Sequence, residues 1–349
     1  MTDDSVLIAE AIPRITAWDA KNRRILPWRL NPTPYHVWIS EIMLQQTRIE
    51  AVIPYYERFL GELPDISALA SVDDDRLLKL WEGLGYYSRA RNLKKAALLV
   101  AEQYGGDLPA DARELKKLPG IGDYTAGAIA SLAFGLPEPA VDGNVLRVLA
   151  RLLASDADIM VQKTRRHASD LLRQHYPSGP DASLLTEGLM ELGEVVCIPN
   201  GVPLCSDCPL QDICRAHLAG DELSYPVRNA VSTRRTEEKT VFLLRCGSRY
   251  AIRKRTEFGL LAGLWEFPNV SGSMTLQEAE ALLSSLGLHP QSCSPCGKAK
   301  HLFSHVEWQM TGYLAACETA VPDFMWLTRS EILEHYSIPA AFRAFRKQL

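Results

Sequence analysis

The 349-residue chain lacks several features that would assign it to common classes of protein. It has no run of about eighteen apolar residues, so the sequence predicts no membrane-spanning helix and no membrane partner. Its first residues, MTDDSVLIAEAIPR, lack the basic and apolar stretches of a secretory signal. No short-period repeat is visible. From these absences we expect a cytoplasmic protein.

An excess of positive charge is also missing, because the formal net charge is −4. Residues 1–228 hold 24 Lys and Arg against 31 Asp and Glu, and the remainder holds 14 against 11. This balance argues against indiscriminate nucleic-acid binding, so a DNA contact would depend on local patches. Taken singly, each patch is more simply a solvated helix face. The candidate patches are Arg23 with Arg24 and Arg29, residues 89–95, and Lys116 with Lys117.

Half of the eight cysteines form one cluster, although the paired CxxC motifs of a zinc ribbon are missing. Cys197, Cys205, Cys208 and Cys214 are separated by seven, two and five residues. In a chain expected to be cytosolic, such a cluster indicates a metal centre rather than disulfides. Four thiolates suit zinc or a [4Fe–4S] cluster, and the asymmetric spacing favours the structural iron–sulfur cluster.

The periodicity of apolar residues changes along the chain. Residues 1–224 show apolar spacings of three and four, interrupted by Gly and Pro, which predict an all-α region. Residues 225–240 are polar and weakly periodic and predict a linker. Residues 241–349 predict an α+β domain. Its predicted strands are 241–244, 250–252, 306–314 and 324–327, and its predicted helices are 275–286 and 339–347.

A tight turn is predicted in the segment LPGIGDYTAG. An apolar helix ends at Leu118, Pro119 stops it, and a new helix begins near Asp123. Gly120 and Gly122 permit the turn and the close approach of another backbone. The free amides of the new helix would bind a DNA phosphate, although the turn alone is equally an ordinary link between helices.

Two carboxylates lie where catalysis could use them. Glu41 lies in the apolar helical segment VWISEIMLQQT, where burial would raise its pKa and make it a general acid. Asp142 precedes the helical segment GNVLRVLARLL, whose N-terminus would keep it ionised. A neutral acid and an anion divide the work in glycosidic bond cleavage. The alternatives are a surface glutamate and a simple N-cap worth ~1 kcal/mol.

Several motifs together resemble the MutY family of adenine-specific DNA glycosylases, in the helix-hairpin-helix superfamily. They are SEIMLQQTRIEAV, WEGLGYYSRARNL, LPGIGDYTAG, AVDGNVLRVLAR and the four-cysteine cluster. The later LLAGLWEFP and HLFSH resemble that family's Nudix-like C-terminal domain. The resemblance spans nearly the whole chain and implies a multidomain protein with a bound [4Fe–4S] cluster. The implied parts are a helix-hairpin-helix barrel at about 30–137, an iron–sulfur-containing domain at 1–29 and 138–224, and an 8-oxoguanine-recognition domain at 241–349.

The resemblance implies a monomeric enzyme that removes adenine mispaired with 8-oxoguanine or guanine in double-stranded DNA. Glu41 matches the acid that protonates adenine at N7, and Asp142 matches the carboxylate that stabilises the sugar cation or traps it covalently. Asn144 and Tyr124 match residues that position those two. The implied substrate-binding residues are Trp28, Arg29 and Glu187 around the adenine, Gln46 and Tyr86 in the duplex, and Phe303, Ser304 and His305 at 8-oxoguanine. Gly120 and Gly122 match the turn that contacts DNA phosphate.

Two departures from the family pattern refine these expectations. The first cysteine gap is seven residues rather than the usual six, so we expect a longer loop and an intact cluster. Tyr124 stands where related strand-cutting enzymes carry a lysine, which predicts a monofunctional hydrolase. For Tyr86, packing in a hydrophobic core would explain the residue as well as a role in the duplex does. Two other functions stay open: a glycosylase for another mismatched or oxidised base, and a non-catalytic damage-binding protein with a redox cluster.

A second cysteine pattern looks like a zinc site. Cys293 and Cys296 are followed by His301 and His305 within thirteen residues. The gap between Cys296 and His301 is too short for a usual zinc finger, and the resemblance gives His305 another role. We therefore expect no structural zinc there.

Overall fold

The structure, a computed structural model, describes residues 3–229 and 234–349. Its chain divides into two compact units. Four residues of the expected linker, 230–233, lie outside the described residues. By its contacts, the short segment 72–91 belongs with the C-terminal part of the chain. The helical unit comprises residues 1–71 and 92–230, and the sheet unit comprises residues 72–91 and 231–349.

The helical unit contains no strand in its described part, as its periodicity predicts. No helix in the two described ranges is long and apolar enough to cross a membrane. The helices of both units, in chain order, are α1 (Asp3–Asn22), α2 (Pro27–Leu30), α3 (Pro34–Leu44), α4 (Ile49–Glu62), α5 (Ile66–Ser71), α6 (Asp74–Leu80), α7 (Ser88–Gln103), α8 (Ala112–Leu115), α9 (Asp123–Phe134), α10 (Gly143–Leu153), α11 (Gln162–Arg173), α12 (Pro180–Val195), α13 (Arg215–Leu218), α14 (Leu276–Ser285), α15 (Arg329–His335) and α16 (Arg343–Arg346).

Close contacts at two glycines set the position of α12 in the helical unit. Helices α1, α10, α11 and α12 share one hydrophobic core. A methyl group added at Gly188 would lie 2.8 Å from Cγ2 of Ile15, so glycine lets α1 pack closely against α12. A methyl group at Gly193 would lie 2.6 Å from Cβ of Asn144, at the start of α10. Both distances are too short for a real side chain, so these two glycines fix the helix spacing.

The turn between α8 and α9 has the geometry expected from its glycines. Gly120 has a φ of +81°. A methyl group there would lie 2.8 Å from Cβ of Asn92. Gly122 precedes α9 as its N-cap, and no side chain caps the helix. The first amides of α9 are therefore left for an external acceptor.

The sheet unit is built on one mixed seven-stranded sheet with the path β3-β2-β1-β6-β5. Strands β1 and β6 run parallel, from Arg235 opposite Val306 to Arg245 opposite Ala316. The other pairings are antiparallel, with β4 on β1 and β7 on β2. Successive residues of β1 enter separate cores on the two faces of the sheet. The strands are β1 (Arg235–Cys246), β2 (Arg249–Lys254), β3 (Trp265–Glu266), β4 (Asn269–Ser271), β5 (Pro290–Leu302), β6 (Val306–Cys317) and β7 (Met325–Thr328).

Four strands differ from the sequence pattern, and two of them are the short strands β3 and β4, which were not predicted. Strand β1 begins at Arg235, inside the segment predicted as linker. Strand β5 is absent from the sequence prediction because Pro290, Pro295 and Gly297 are typical strand breakers. The strand tolerates them since it lies at the end of the sheet path and shifts register at Pro290 and between Pro295 and Gly297.

Side-chain contacts hold residues 72–91 in the sheet unit. Trp265 Nε1 donates a hydrogen bond of 2.9 Å to Asp75 Oδ1. The guanidinium of Arg346 forms an ion pair of 2.5 Å with Glu82. Ser337 Oγ bonds the hydroxyl of a buried tyrosine, Tyr87, at 3.2 Å. The sheet unit is thus assembled from two distant stretches of sequence.

Candidate active site

A cavity of about 590 Å³ opens in the helical unit. Its wall comes from the α1–α2 connection and from helices α2, α3, α9, α10, α11 and α12. This volume is in the usual range for a small-molecule site. The cavity brings together every residue of this unit that the sequence assigns to catalysis or to the adenine pocket: Trp28, Arg29, Glu41, Tyr124, Asp142, Asn144 and Glu187. It is also lined by Gln46, which the resemblance assigns to the duplex.

Glu41 lies on α3 and is only 5% exposed. Burial raises the pKa of Glu41 to about 7, because the charged carboxylate would lose its hydration. Tyr124 donates a 2.6 Å hydrogen bond to Glu41 Oε2, which lowers that pKa, while the nearby charge of Asp142 raises it. Glu41 is therefore protonated in a substantial fraction of molecules near neutral pH, as its apolar helix suggests.

Asp142 caps α10, and its Oδ1 accepts a 2.8 Å hydrogen bond from the amide of Val145. Burial raises the pKa of Asp142, whereas hydrogen bonds from the amides of Val145 and Asn144 lower it without fully offsetting burial. This differs from the sequence expectation, in which the helix N-terminus alone sets the charge. The helix N-terminus therefore limits the cost of an anion at this half-buried position.

Arg147 connects the start of α10 with the cysteine loop. Its Nη2 donates to Asn144 Oδ1 at 2.8 Å and to the carbonyl of Gly193 at 2.6 Å, and its Nε donates to the carbonyl of Cys197 at 2.7 Å. Asn144 is thus held by a guanidinium whose other bonds go to the end of α12 and the cysteine loop. Arg147 was not identified from the sequence, since it occupies an ordinary position of an amphipathic helix.

A network of charged side chains forms another part of the wall. Arg29 Nη2 donates to Glu191 Oε2 at 2.8 Å and its Nε lies 3.6 Å from Glu187. Arg24 pairs with Glu191, and Arg23 pairs with Glu187 at 3.2 Å. Burial would raise the pKa of Glu191, but the two arginines together lower it. Of the arginine cluster noted in the sequence, Arg24 and Arg29 therefore line the pocket, whereas Arg23 is exposed. Glu191 was missed because nothing in the sequence marks a buried partner.

Gln46 and Tyr86 both have a backbone that ordinary residues rarely adopt. Their φ angles are +59° and +46°. Such strained positions concentrate at functional sites. Gln46 lines the cavity that contains Glu41, whereas Tyr86 lies in the sheet unit and is 50% exposed. Core packing therefore does not explain Tyr86.

A second cavity of about 540 Å³ follows the turn between α8 and α9. Gly120 and Gly122 line it, together with residues of α11. Lys116 is paired there with Asp123 at 3.0 Å, and the adjacent Lys117 is paired with Glu114 at 2.7 Å. These two lysines are thus engaged within the protein.

The sheet unit has its own cavity of about 540 Å³. Phe303, Ser304 and His305 lie in the turn between β5 and β6, which is closed by a 2.8 Å bond from the amide of Phe303 to the carbonyl of Val306. The hydroxyl of Tyr86 lies 3.3 Å from Ser304 Oγ. The cavity thus gathers the three residues that the resemblance assigns to 8-oxoguanine and also Tyr86, which the resemblance assigns to the duplex.

The cysteine cluster surrounds one small cavity. Cys197, Cys205, Cys208 and Cys214 all line it, among apolar side chains from α10 and α12, and all four are free thiols. Arg151 Nη1 donates to Cys197 Sγ at 3.3 Å. The longer first gap therefore does not draw Cys197 away from the other three. Four sulfur donors in a shielded pocket fit a four-thiolate cofactor.

The second cysteine pattern is divided by the sheet. Cys293 packs against the core on one face, and Cys296 packs against the core on the other. Ligands on opposite faces are not arranged around one ion.

Comparison with known proteins identifies both parts of the chain. The family described as HhH-GPD superfamily base excision DNA repair protein matches residues 39–174. The NUDIX domain family matches residues 240–348. A protein of Rattus norvegicus named adenine DNA glycosylase is 35% identical over 397 residues, covering 95% of this chain and 76% of that protein. The chain belongs to the adenine DNA glycosylase family.

The family also includes a bacterial relative of the same name. That protein, from Buchnera aphidicola subsp. Acyrthosiphon pisum, is 34% identical over 289 residues, covering 82% of this glycosylase and 81% of the relative. A solved structure titled as a thermostable thymine-DNA glycosylase is 26% identical with a TM-score of 0.56. The match covers 61% of this chain and 97% of the chain in the solved structure. The predicted helical glycosylase fold and the Nudix-like domain are confirmed.

The contact between Gly193 and Asn144 yields a first prediction. Gly193→Ala forces α12 away from the start of α10, so we expect a loss of about 1–3 kcal/mol in the free energy of unfolding and slower base excision. Denaturant unfolding and a single-turnover assay measure the two effects. The control is Gly61→Ala in α4, where an added methyl group meets nothing within 4 Å. Unchanged stability and rate in Gly193→Ala would refute this role.

Proposed function

We propose that this chain is a monofunctional DNA glycosylase that excises adenine mispaired with 8-oxoguanine or guanine and leaves an abasic site. The observation that carries the proposal is that Glu41, Asp142, Tyr124 and Asn144 all line the same cavity. The named relatives supply the base, because they are adenine DNA glycosylases. We also propose that it acts as a monomer in the cytoplasm, on DNA as its partner.

In the proposed mechanism, an adenine leaves the duplex and enters the cavity of the helical unit. Glu41 transfers its proton to N7, and the bond between C1′ and N9 breaks with its electron pair going to the base. The carboxylate of Asp142 faces the cationic sugar. Water then adds to C1′, and its proton leaves to solvent. Tyr124 has no amine, so no covalent imine forms and the strand stays intact.

Several residues would bind the extruded adenine. Trp28 offers an apolar surface, and Arg29 with Glu187 offers donors and acceptors held in place by ion pairs. Gln46 is proposed to enter the space that the adenine leaves. Buried polar groups of this kind discriminate strongly, because a wrong base leaves them unpaired.

The sheet unit is proposed to read the 8-oxoguanine. That base differs from guanine by a donor at N7 and an acceptor at O8. The hydroxyl of Ser304 can satisfy either group, and Tyr86 lies beside it at 3.3 Å. Phe303 and His305 border the same cavity and would contact the base from the turn. The amides beyond Gly120 and Gly122 would hold a DNA phosphate.

We propose that Cys197, Cys205, Cys208 and Cys214 hold a [4Fe–4S] cluster. Burial raises the pKa of the Cys208 thiol to about 12, so positive charge from bound iron would be needed to stabilise its thiolate. The cluster would fold the loop that follows α12. The carbonyl of Cys197 accepts from Arg147, so this loop also supports the position of Asn144.

Base release from defined duplexes tests the proposed function. The wild-type protein is expected to release free adenine from adenine:8-oxoguanine and adenine:guanine pairs, with strand scission only after alkali. Glu41→Gln and Asp142→Asn are each expected to slow release by roughly 100- to 10,000-fold while DNA binding persists. The exposed residues Glu50 and Asp156 supply the matched controls Glu50→Gln and Asp156→Asn. Release of thymine instead, or normal turnover in both active-site variants, would contradict the proposal.

The burial of Glu41 predicts a pH profile for excision. A proton donor with a pKa of about 7 loses its proton above that pH, so the single-turnover rate should fall on the alkaline side with a midpoint of about 7. Tyr124→Phe removes a hydrogen bond that lowers this pKa, so its midpoint should move to higher pH. A midpoint near 4.5, the ordinary value, would show that Glu41 is not the buried acid.

Metal analysis tests the cofactor. Purified protein is expected to contain four iron and four sulfide per chain. Replacement of Cys208 by Ser should lower the iron content and the melting temperature together. The replacement of Cys293 by Ser is the control and should leave the iron content unchanged. Stoichiometric zinc in place of iron would refute the cluster.

A further inference from the structure

Two cavities of the helical unit share a wall. One is the cavity that contains Glu41, and the other is the groove beside the turn between α8 and α9. Four side chains line both: Gln45, Tyr124, Val141 and Arg165. Among these four, Arg165 is the cation. It projects from the first half of α11, which the sequence pattern did not single out.

Arg165 differs from most cations around it. In the part of the chain that the structure describes, its guanidinium has no hydrogen-bond or ion-pair partner, although the side chain is half-buried. By contrast, Arg29 is paired with Glu191 in the first cavity, and Arg173 is paired with Glu138 in the groove. A half-buried guanidinium that lacks a carboxylate is set up to meet an anion from outside the chain.

The proposed function supplies such an anion. An extruded nucleotide in the first cavity stays covalently attached to its strand. If that strand follows the groove at Gly120 and Gly122, a phosphate next to the nucleotide must cross the wall between the two cavities. Arginine binds phosphate oxygens in a bidentate manner, which fixes both the position and the orientation of the group.

We propose that Arg165 is a positioning residue that binds the phosphate adjacent to the extruded nucleotide. This inference rests on the proposed function. By holding that phosphate, Arg165 would set how deeply the sugar enters the cavity and thus where C1′ lies relative to Asp142. The simpler alternative is a solvated helix face that adds only general positive charge.

A binding experiment with the full chain separates these two possibilities. The probe is a duplex with 8-oxoguanine opposite a 2′-fluorinated adenosine, whose base departs slowly. Arg165→Gln is expected to weaken binding roughly tenfold or more and to make the salt dependence of binding shallower by about one ion. Arg165→Lys should retain part of the affinity. Lys163→Gln on the same helix is the control, because Lys163 lines neither of the two cavities.

The decisive comparison removes the charge from the DNA. Each of the two phosphates flanking the adenosine is replaced in turn by an uncharged methylphosphonate. If Arg165 binds one of them, the loss in Arg165→Gln disappears on that duplex, whereas the wild-type protein and Lys163→Gln both weaken. An equal loss in Arg165→Gln on all three duplexes would overturn the inference. Binding is measured without base release, so failure to excise adenine would count against the proposed function alone.

Discussion

The arrangement of the candidate active site depends on the exclusion of water from the carboxyl group of Glu41. The side chain lies among apolar neighbours of α3 and holds a proton near neutral pH because its anion would be poorly hydrated there. The hydroxyl of Tyr124, from α9, is its hydrogen-bond partner. Helices α3 and α9 must therefore keep a fixed distance for Glu41 to remain buried and hydrogen-bonded to Tyr124. Direct packing of α3 against α9 maintains that distance.

A second carboxylate in the same cavity, that of Asp142, adds to the electrostatic cost of the site. Asp142 is half-buried, and the amides at the start of α10 only partly compensate for the loss of water. The supporting bonds continue outward, from Asn144 to Arg147 and from there to the carbonyls of Gly193 and Cys197. The cysteine loop is thus connected with the start of α10 through the hydrogen bonds of Arg147. A structural cofactor in that loop would act on the site through this arginine.

Much of the fold could be predicted from the sequence because local signals agree with the structure. The helical spacing, the glycines of the turn and the N-cap at Asp142 all depend on near neighbours. Strand β5 was missed because Pro295 and Gly297 obscure a strand whose place at the end of the sheet path tolerates them. The segment 72–91 joins the sheet unit through Asp75 and Glu82, and such distant pairings leave no periodic trace.

The same distinction applies to the site. Glu41 and Asp142 carry local marks, namely an apolar helix and a helix start, so they could be named in advance. The pairing of Arg24 and Arg29 with Glu191 depends on the packing of distant helices and could not. That Arg165 has no carboxylate partner is likewise a result of how the chain folds. An acidic residue brought near it by another helix would have formed an ion pair with it.

Infrared difference spectra of the free protein, with carboxyl groups of glutamate isotopically labelled, test the central claim most directly. The signal of the protonated acid that disappears in Glu41→Gln is expected to titrate with a pKa of about 7. A carboxyl that titrates near its ordinary value of 4.5 would show that water reaches Glu41 and would contradict the account.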